Sequence, residues 1–169
     1  MSKSKVRLKT SMGDMLIELE DKLAPVTVAN FLQYVDEKFY DGTIFHRVIS
    51  NFMIQGGGFH PDMKQKATRG NITNESSNGL KNQKGTIAMA RLPQPHTASS
   101  QFFINCKDNG FLNKAEAGDG HGYCVFGTVI EGIDVLEKIE KVSTTNKGGH
   151  GDVPVKPVVI ESAIREDSK

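Results

Sequence analysis

Apolar and polar residues alternate with a period of two along most of this chain, and only twice does the period lengthen to that of a helix. Val6, Leu8 and Thr10 alternate with basic neighbours, Met12-Gly13-Asp14 has turn chemistry, and an apolar pattern resumes from Met15 to Leu19. Residues 6–20 therefore predict a β-hairpin. Pro25 stands where the first turn of a helix would begin, and Val28, Phe31, Leu32 and Val35 follow at i, i+3, i+4, i+7 spacing. A second stripe of Val135, Leu136, Ile139 and Val142 predicts a helix over about 132–141. The remaining periodic runs are short and strand-like: 43–48, 53–55, 86–90, 101–105, 123–128 and 158–165.

Eight short strands and two helices, separated by turns, predict a mainly β fold: a closed eight-stranded antiparallel β-barrel capped by two α-helices. A parallel α/β sheet would need helical patterns between most strands. With 169 residues and no repeat, low-complexity tract or linker, residues 1–169 read as a single domain. Three connections are long, at 56–85, 107–122 and 143–153, and loops of such length are usually functional or disordered. The first two border chemistry-bearing segments. The third, around Gly148-Gly149-His150-Gly151, reads as plain surface loop.

Composition narrows the function more by exclusion than by pointing. A net charge of +1 gives no electrostatic preference for nucleic acid or a membrane surface. The local basic group Lys64, Lys66 and Arg69 has no interleaved aromatics and reads as a solvated loop. No stretch approaches the eighteen or so apolar residues of a membrane span. The first ten residues carry lysines but no apolar run behind them, so the expectation is a cytoplasmic protein, and nothing suggests more than a monomer. Cys106 and Cys124, flanked by strand-like apolar residues, read as buried reduced thiols. The five histidines are never closer than fourteen residues, so no metal-ligand spacing exists. Nor is there a nucleophile elbow or a phosphate loop, and no metal or cofactor is expected.

Strand alternation does say which side chains share a face. In 44–48 it pairs Phe45 with Arg47 and sets Ile44, His46 and Val48 opposite, which makes His46 a structural, hydrogen-bonded residue rather than an acid or base. Met53 and Gln55 share one face. So do Gln101, Phe103 and Asn105, with Phe102 and Ile104 behind. Three strands thus each offer a polar donor beside a large apolar group. If the faces meet, they form an apolar pocket rimmed by donors, the usual make-up of a ligand site. If they do not, each strand is simply amphipathic, and spacing leaves both arrangements open.

The motifs in order are Phe45-His46-Arg47-Val48, Phe52-Met53-Ile54-Gln55-Gly56-Gly57-Gly58, Asn74-Glu75 with Asn78-Gly79-Leu80, residues 85–91, Ser100-Gln101-Phe102-Phe103-Ile104-Asn105, and Tyr123-Cys124-Val125-Phe126-Gly127. Together they resemble the cyclophilins, peptidyl-prolyl cis-trans isomerases, and most nearly the bacterial cytoplasmic type, over residues 5–164. The resemblance implies a catalytic arginine at Arg47 and a substrate-holding glutamine at Gln55. It implies a proline pocket of Phe52, Met53, Phe103 and Leu112, a second glutamine at Gln101, and a strand edge at Ala90 and Arg91 that pairs with substrate backbone. Phe111 stands where many eukaryotic members have a tryptophan associated with tight cyclosporin binding, so weak cyclosporin binding is expected. Tyr123 stands where they have a histidine, and Arg91 where they have an asparagine. The implied partners are proline-containing peptides and folding proteins. A proline-binding scaffold or chaperone that needs no turnover is the alternative reading.

Overall fold

The computed structural model describes residues 3–115, 117–118 and 120–166. The predicted hairpin is present as β1 (Lys5–Thr10) and β2 (Gly13–Leu19), paired antiparallel with Leu8 opposite Met15. Helix α1 (Pro25–Asp36) follows, with Pro25 in its first turn. Then come β3 (Thr43–Ile44), β4 (Arg47–Ile49), β5 (Met53–Gly56), β6 (Thr86–Met89), β7 (Phe102–Asn105) and β8 (Val125–Glu131). Helix α2 (Ile133–Glu140) leads to a hairpin of β9 (Thr144–Lys147) and β10 (His150–Pro154), and β11 (Val159–Arg165) ends the fold.

Nine strands form one antiparallel sheet in the order β3-β11-β1-β2-β8-β6-β7-β5-β4. Its two edge strands, β3 and β4, are separated in the chain by only Phe45 and His46. The barrel is therefore closed by covalent continuity rather than by a hydrogen-bond ladder. This differs from the expected eight strands because the run 43–48 breaks in two: Phe45 N–H donates to the Val158 carbonyl at 3.0 Å and leaves the alternation. The face assignment fails there as well. Phe45 is fully buried, packs edge-on against Phe102 at 6.1 Å between centroids, and lies on the core side, opposite to Arg47.

The second difference is the β9–β10 hairpin inside the supposed surface loop 143–153. Thr144 to Lys147 are all exposed, so no apolar alternation marks the strand. The turn was legible, because Gly148 and Gly149 adopt φ of 61° and 82°, the pair of positive values that a two-residue hairpin turn needs.

The two helices plug opposite ends of the barrel. α1 sends Val28, Phe31, Leu32 and Val35 inward, as its spacing predicts, and Phe31 meets the rings of Tyr40, Phe102 and Phe126 at 5.2–5.7 Å. The first-turn amides of α1 are capped from a distant loop: Glu75 accepts from Thr27 N–H at 2.8 Å, Thr27 Oγ1 at 2.7 Å and Val26 N–H at 3.3 Å. Ala24, at the cap position, has no side chain able to do this. α2 buries Val135, Leu136 and Ile139 over the end where the β1–β2 and β4–β5 turns lie, and Glu140 accepts from Asn51 N–H at 3.2 Å. Both cysteines are buried and free.

Candidate active site

The sheet has a second, smaller apolar surface on its outer side. Ile54, Ile87, Phe102 and Ile104 point into the main core, while Met53, Ala88, Phe103 and Val125 form a separate cluster facing away from it. Register explains how the functional side chains meet. Arg47 pairs with Gln55, Gln55 with Phe103, Phe103 with Ala88, and Ala88 with Val125, so one row crosses β4, β5, β7, β6 and β8. The next row on the same face carries Ile49, Met53 and Asn105. With strands about 4.8 Å apart, a charged group on β4 stands roughly 10 Å from an aromatic ring on β7. That span accommodates one small ring between them.

A cavity of about 150 Å³ occupies this position, lined by Arg47, Phe52, Met53, Gln55, Ala90, Arg91, Phe103, Leu112 and Tyr123. The three strand faces do meet, and the pocket arrangement is the one found. The volume is below the 300–1,000 Å³ of pockets for drug-sized ligands and suits a single side chain. Phe52, which alternation would not have chosen, arrives because it lies in the β4–β5 turn, its N–H bonded to the Ile49 carbonyl at 3.1 Å. Leu112 comes from a short 3₁₀ turn (Gly110–Leu112), and Tyr123 N–H donates to the Leu112 carbonyl at 2.9 Å, joining two walls. The Tyr123 ring stands edge-on to Phe103 at 5.6 Å and lies under the Arg91 guanidinium at 4.4 Å.

Two of the expected site residues lie beside the cavity. Gln101 lines an adjoining groove of about 260 Å³, shared with Gln55, Ala90 and Arg91, and its Oε1 accepts from Gln55 Nε2 at 3.0 Å. Phe111 is 57% exposed and stacks on Phe52 at 5.8 Å, extending the apolar rim outward. His46 is buried on the far side from Arg47, but the hydrogen bond expected of it is not found: its Nδ1 has no partner among the described residues. Its ring packs on Phe59 at 4.3 Å instead. Burial, then His150 and Arg47, lower its pKa to about 4, so it is neutral at ordinary pH. Burial likewise raises the Cys124 thiol to about 11 and the Cys106 thiol further, which leaves both unreactive.

Sequence reasoning missed what holds the walls in place. A group of asparagines lies directly behind the cavity, with Asn82, Asn105 and Asn109 at most 1% exposed. Asn109 Nδ2 donates to the Phe52 carbonyl and to Asn105 Oδ1, each at 2.8 Å. Asn105 Nδ2 donates to Asn82 Oδ1 at 3.1 Å and to Thr86 Oγ1 at 2.9 Å. Asn82 Nδ2 reaches Asn113 Oδ1 at 3.1 Å and the Tyr123 carbonyl at 3.4 Å. The backbones of Phe52 and Tyr123, on opposite walls, thus hang from one polar network. The one signal available was Asn105 itself, a polar residue on a face shared with Phe103.

Comparison with known proteins bears on what this surface does. The profile of the family described as cyclophilin type peptidyl-prolyl cis-trans isomerase/CLD matches residues 5–165. The chain is 60% identical to peptidyl-prolyl cis-trans isomerase cyp18 of Streptomyces antibioticus, over 95% of this chain and 97% of that protein. It is 57% identical to peptidyl-prolyl cis-trans isomerase B of Escherichia coli (strain K12), over 93% of this chain and 96% of that one. A crystal structure of a Cryptosporidium parvum cyclophilin type peptidyl-prolyl cis-trans isomerase, obtained in the presence of the dipeptide Ala-Pro, superposes with a TM-score of 0.79 at 28% identity. The superposition covers 97% of this chain and 99% of that one.

Proposed function

The chain belongs to the cyclophilin-type peptidyl-prolyl cis-trans isomerase family and is an enzyme of that kind; from this premise we propose that Arg47 is its catalytic group and the adjoining cavity its proline pocket. The observation that carries the proposal is the convergence of Arg47, Gln55, Met53 and Phe103 on one cavity sized for a single ring.

The chemistry follows from the substrate bond. Amide resonance sets a barrier of about 18–20 kcal/mol to X–Pro rotation, and unaided exchange takes tens to hundreds of seconds. A turnover of roughly 10–1,000 per second requires a barrier lower by about 4–7 kcal/mol. Twisting the bond destroys resonance and localises a lone pair on the prolyl nitrogen. A guanidinium directed at that nitrogen, or at the neighbouring carbonyl oxygen, interacts more strongly as the twist develops, and such differential binding lowers a barrier. Arginine suits the task because its planar fork stays charged. Phe52, Met53, Phe103 and Leu112 anchor the proline ring and exclude water, which strengthens the charge. Gln55, oriented by Gln101, and the backbone at Ala90 hold one side of the peptide while the other rotates. No bond to the enzyme forms at any stage.

Proline-containing peptides are the substrates, and folding chains that expose X–Pro bonds are the natural clients of this reading, which makes the protein a folding assistant. Its free, buried thiols support a cytoplasmic residence. It is read as a monomer. Cyclosporin binds weakly in this reading, because Phe111 offers a ring without an indole N–H donor. The deciding experiment is a protease-coupled proline-peptide assay on native and Arg47→Ala protein. Loss of about 10²–10³-fold in kcat is expected, on the scale of removing one transition-state donor. A folded Arg47→Ala protein with the native rate would refute the assignment of Arg47 as the catalytic group.

A further inference from the structure

Arg91 has more contacts than a strand-edge residue needs. Its Nε and Nη2 donate to the Gly122 carbonyl at 3.1 and 2.8 Å, and its Nη1 donates to the Leu92 and Pro93 carbonyls at 3.0 and 3.3 Å. The plane of the same guanidinium covers the Tyr123 ring, 4.4 Å from its centroid. One side chain thereby joins the loop after β6 to the end of the loop that carries Leu112 and Tyr123. The anchor point is itself fixed. Gly122 adopts φ +68°, and a Cβ there would lie 2.6 Å from the Lys114 nitrogen, so this turn accepts no side chain. Asn74 Nδ2, from the loop before β6, donates to the same carbonyl at 3.1 Å. Three loops thus meet at the Gly122 carbonyl, one residue before the pocket wall.

We propose that Arg91 is a positioning residue for the proline pocket, clamping the Gly122 carbonyl and the Tyr123 ring so that the wall formed by Tyr123 and Leu112 is preformed before substrate arrives. The inference rests on the reading of the cavity as the proline site. The clamp needs an arginine: the fork supplies two parallel donors to one carbonyl while its flat face stacks on the ring, and the point charge of a lysine cannot do both. Arg91 acts through Tyr123 on ground-state binding of the ring and not on the twisted bond, so its loss should appear in KM.

The test is steady-state kinetics on an Ala-Pro tetrapeptide with native, Arg91→Gln and Arg91→Lys proteins, each repeated in a Tyr123→Leu background. Both substitutions should raise KM about fivefold and move kcat by less than about twofold, the change that one cation–ring contact supports. With the Tyr123 ring already gone, the same substitutions should change KM by less than about twofold, which is the coupling of two residues acting as one unit. The chain has three tyrosines, so selective labelling should show the Tyr123 ring resonances shifted in Arg91→Gln with Tyr34 and Tyr40 in place, whereas general unfolding would move all three. A native KM in Arg91→Lys, a fall in kcat at constant KM, or an undiminished effect in the Tyr123→Leu background each overturns the inference. If Arg91→Gln does not fold, Arg91→Lys and the labelled ring carry the test. An inactive Arg47→Ala protein alongside a kinetically silent Arg91 would remove this inference and leave the proposed function standing.

Discussion

Part of the destabilisation of this protein by acid should come from one buried residue, His46. The ring is 5% exposed, its Nδ1 has no acceptor or donor among the described residues, and its neighbours are Phe59, the ring of His150 and the Arg47 charge. Burial and those neighbours lower its pKa from the ordinary 6.5 to about 4. The unfolded chain therefore takes up the proton first. Between those two values the unfolded state holds more protons than the folded one, so stability rises with pH through this window and is level above it. At about 1.4 kcal/mol per unit, the contribution lost between pH 6.5 and 4.5 comes to about 2 kcal/mol. Urea unfolding at pH 7, 6.5, 5.5 and 4.5 measures it, with His46→Leu as the control that subtracts the carboxylates. The native protein should lose about 2 kcal/mol more than the variant over that range. Equal pH dependence of the two proteins, or a ring titrating near 6.5 in the folded state by NMR, would refute the reasoning.

Other expectations follow from the same geometry. The rate of isomerisation should be nearly constant between about pH 6 and 8, since arginine stays charged and His46, at about 4, has already lost its proton; a sigmoidal step with a histidine-like midpoint in the pH–rate profile would contradict this. Asn109→Ala removes the donor that serves the Phe52 carbonyl and Asn105 Oδ1, leaving the buried Asn105 oxygen unmet and the Phe52 carbonyl with the Cys106 N–H as its remaining donor. It should cost about 1–3 kcal/mol in urea unfolding and raise KM, because Phe52 loses its side-chain tether to the asparagine network. Glu75→Ala removes three donor contacts at the start of α1 and should cost about 1–2 kcal/mol by thermal unfolding, with Glu75→Gln intermediate. Inhibition by cyclosporin should be weak, and a loss of activity at stoichiometric inhibitor would contradict that expectation.

The period of the apolar residues was enough to place α1, α2 and the β1–β2 hairpin, because those elements bury one face each and the burial is written into neighbouring residues. It was enough, too, to put Met53 with Gln55 and Gln101 with Phe103, since the two-residue repeat of a strand is a local property. It misread 43–48, where Phe45 is drawn into the core by Phe102 and the strand breaks. It also passed over β9 and β10, where exposed residues carry no apolar signal and a Gly-Gly turn was the sole mark.

Which strand lies beside which is not a local property. Arg47, Gln55 and Phe103 share a row because β5 sits between β4 and β7, and that order comes from how the whole sheet packs around its core. Asn82, Asn105, Asn109 and Asn113 read as unrelated loop and strand residues until folding brings their amides within hydrogen-bond reach. Arg91 could be matched by motif to a substrate edge, yet its role as a clamp depends on a loop some thirty residues away in the chain. Most of these contacts are long-range, stabilised by groups that a linear pattern does not juxtapose, and so became visible only in three dimensions.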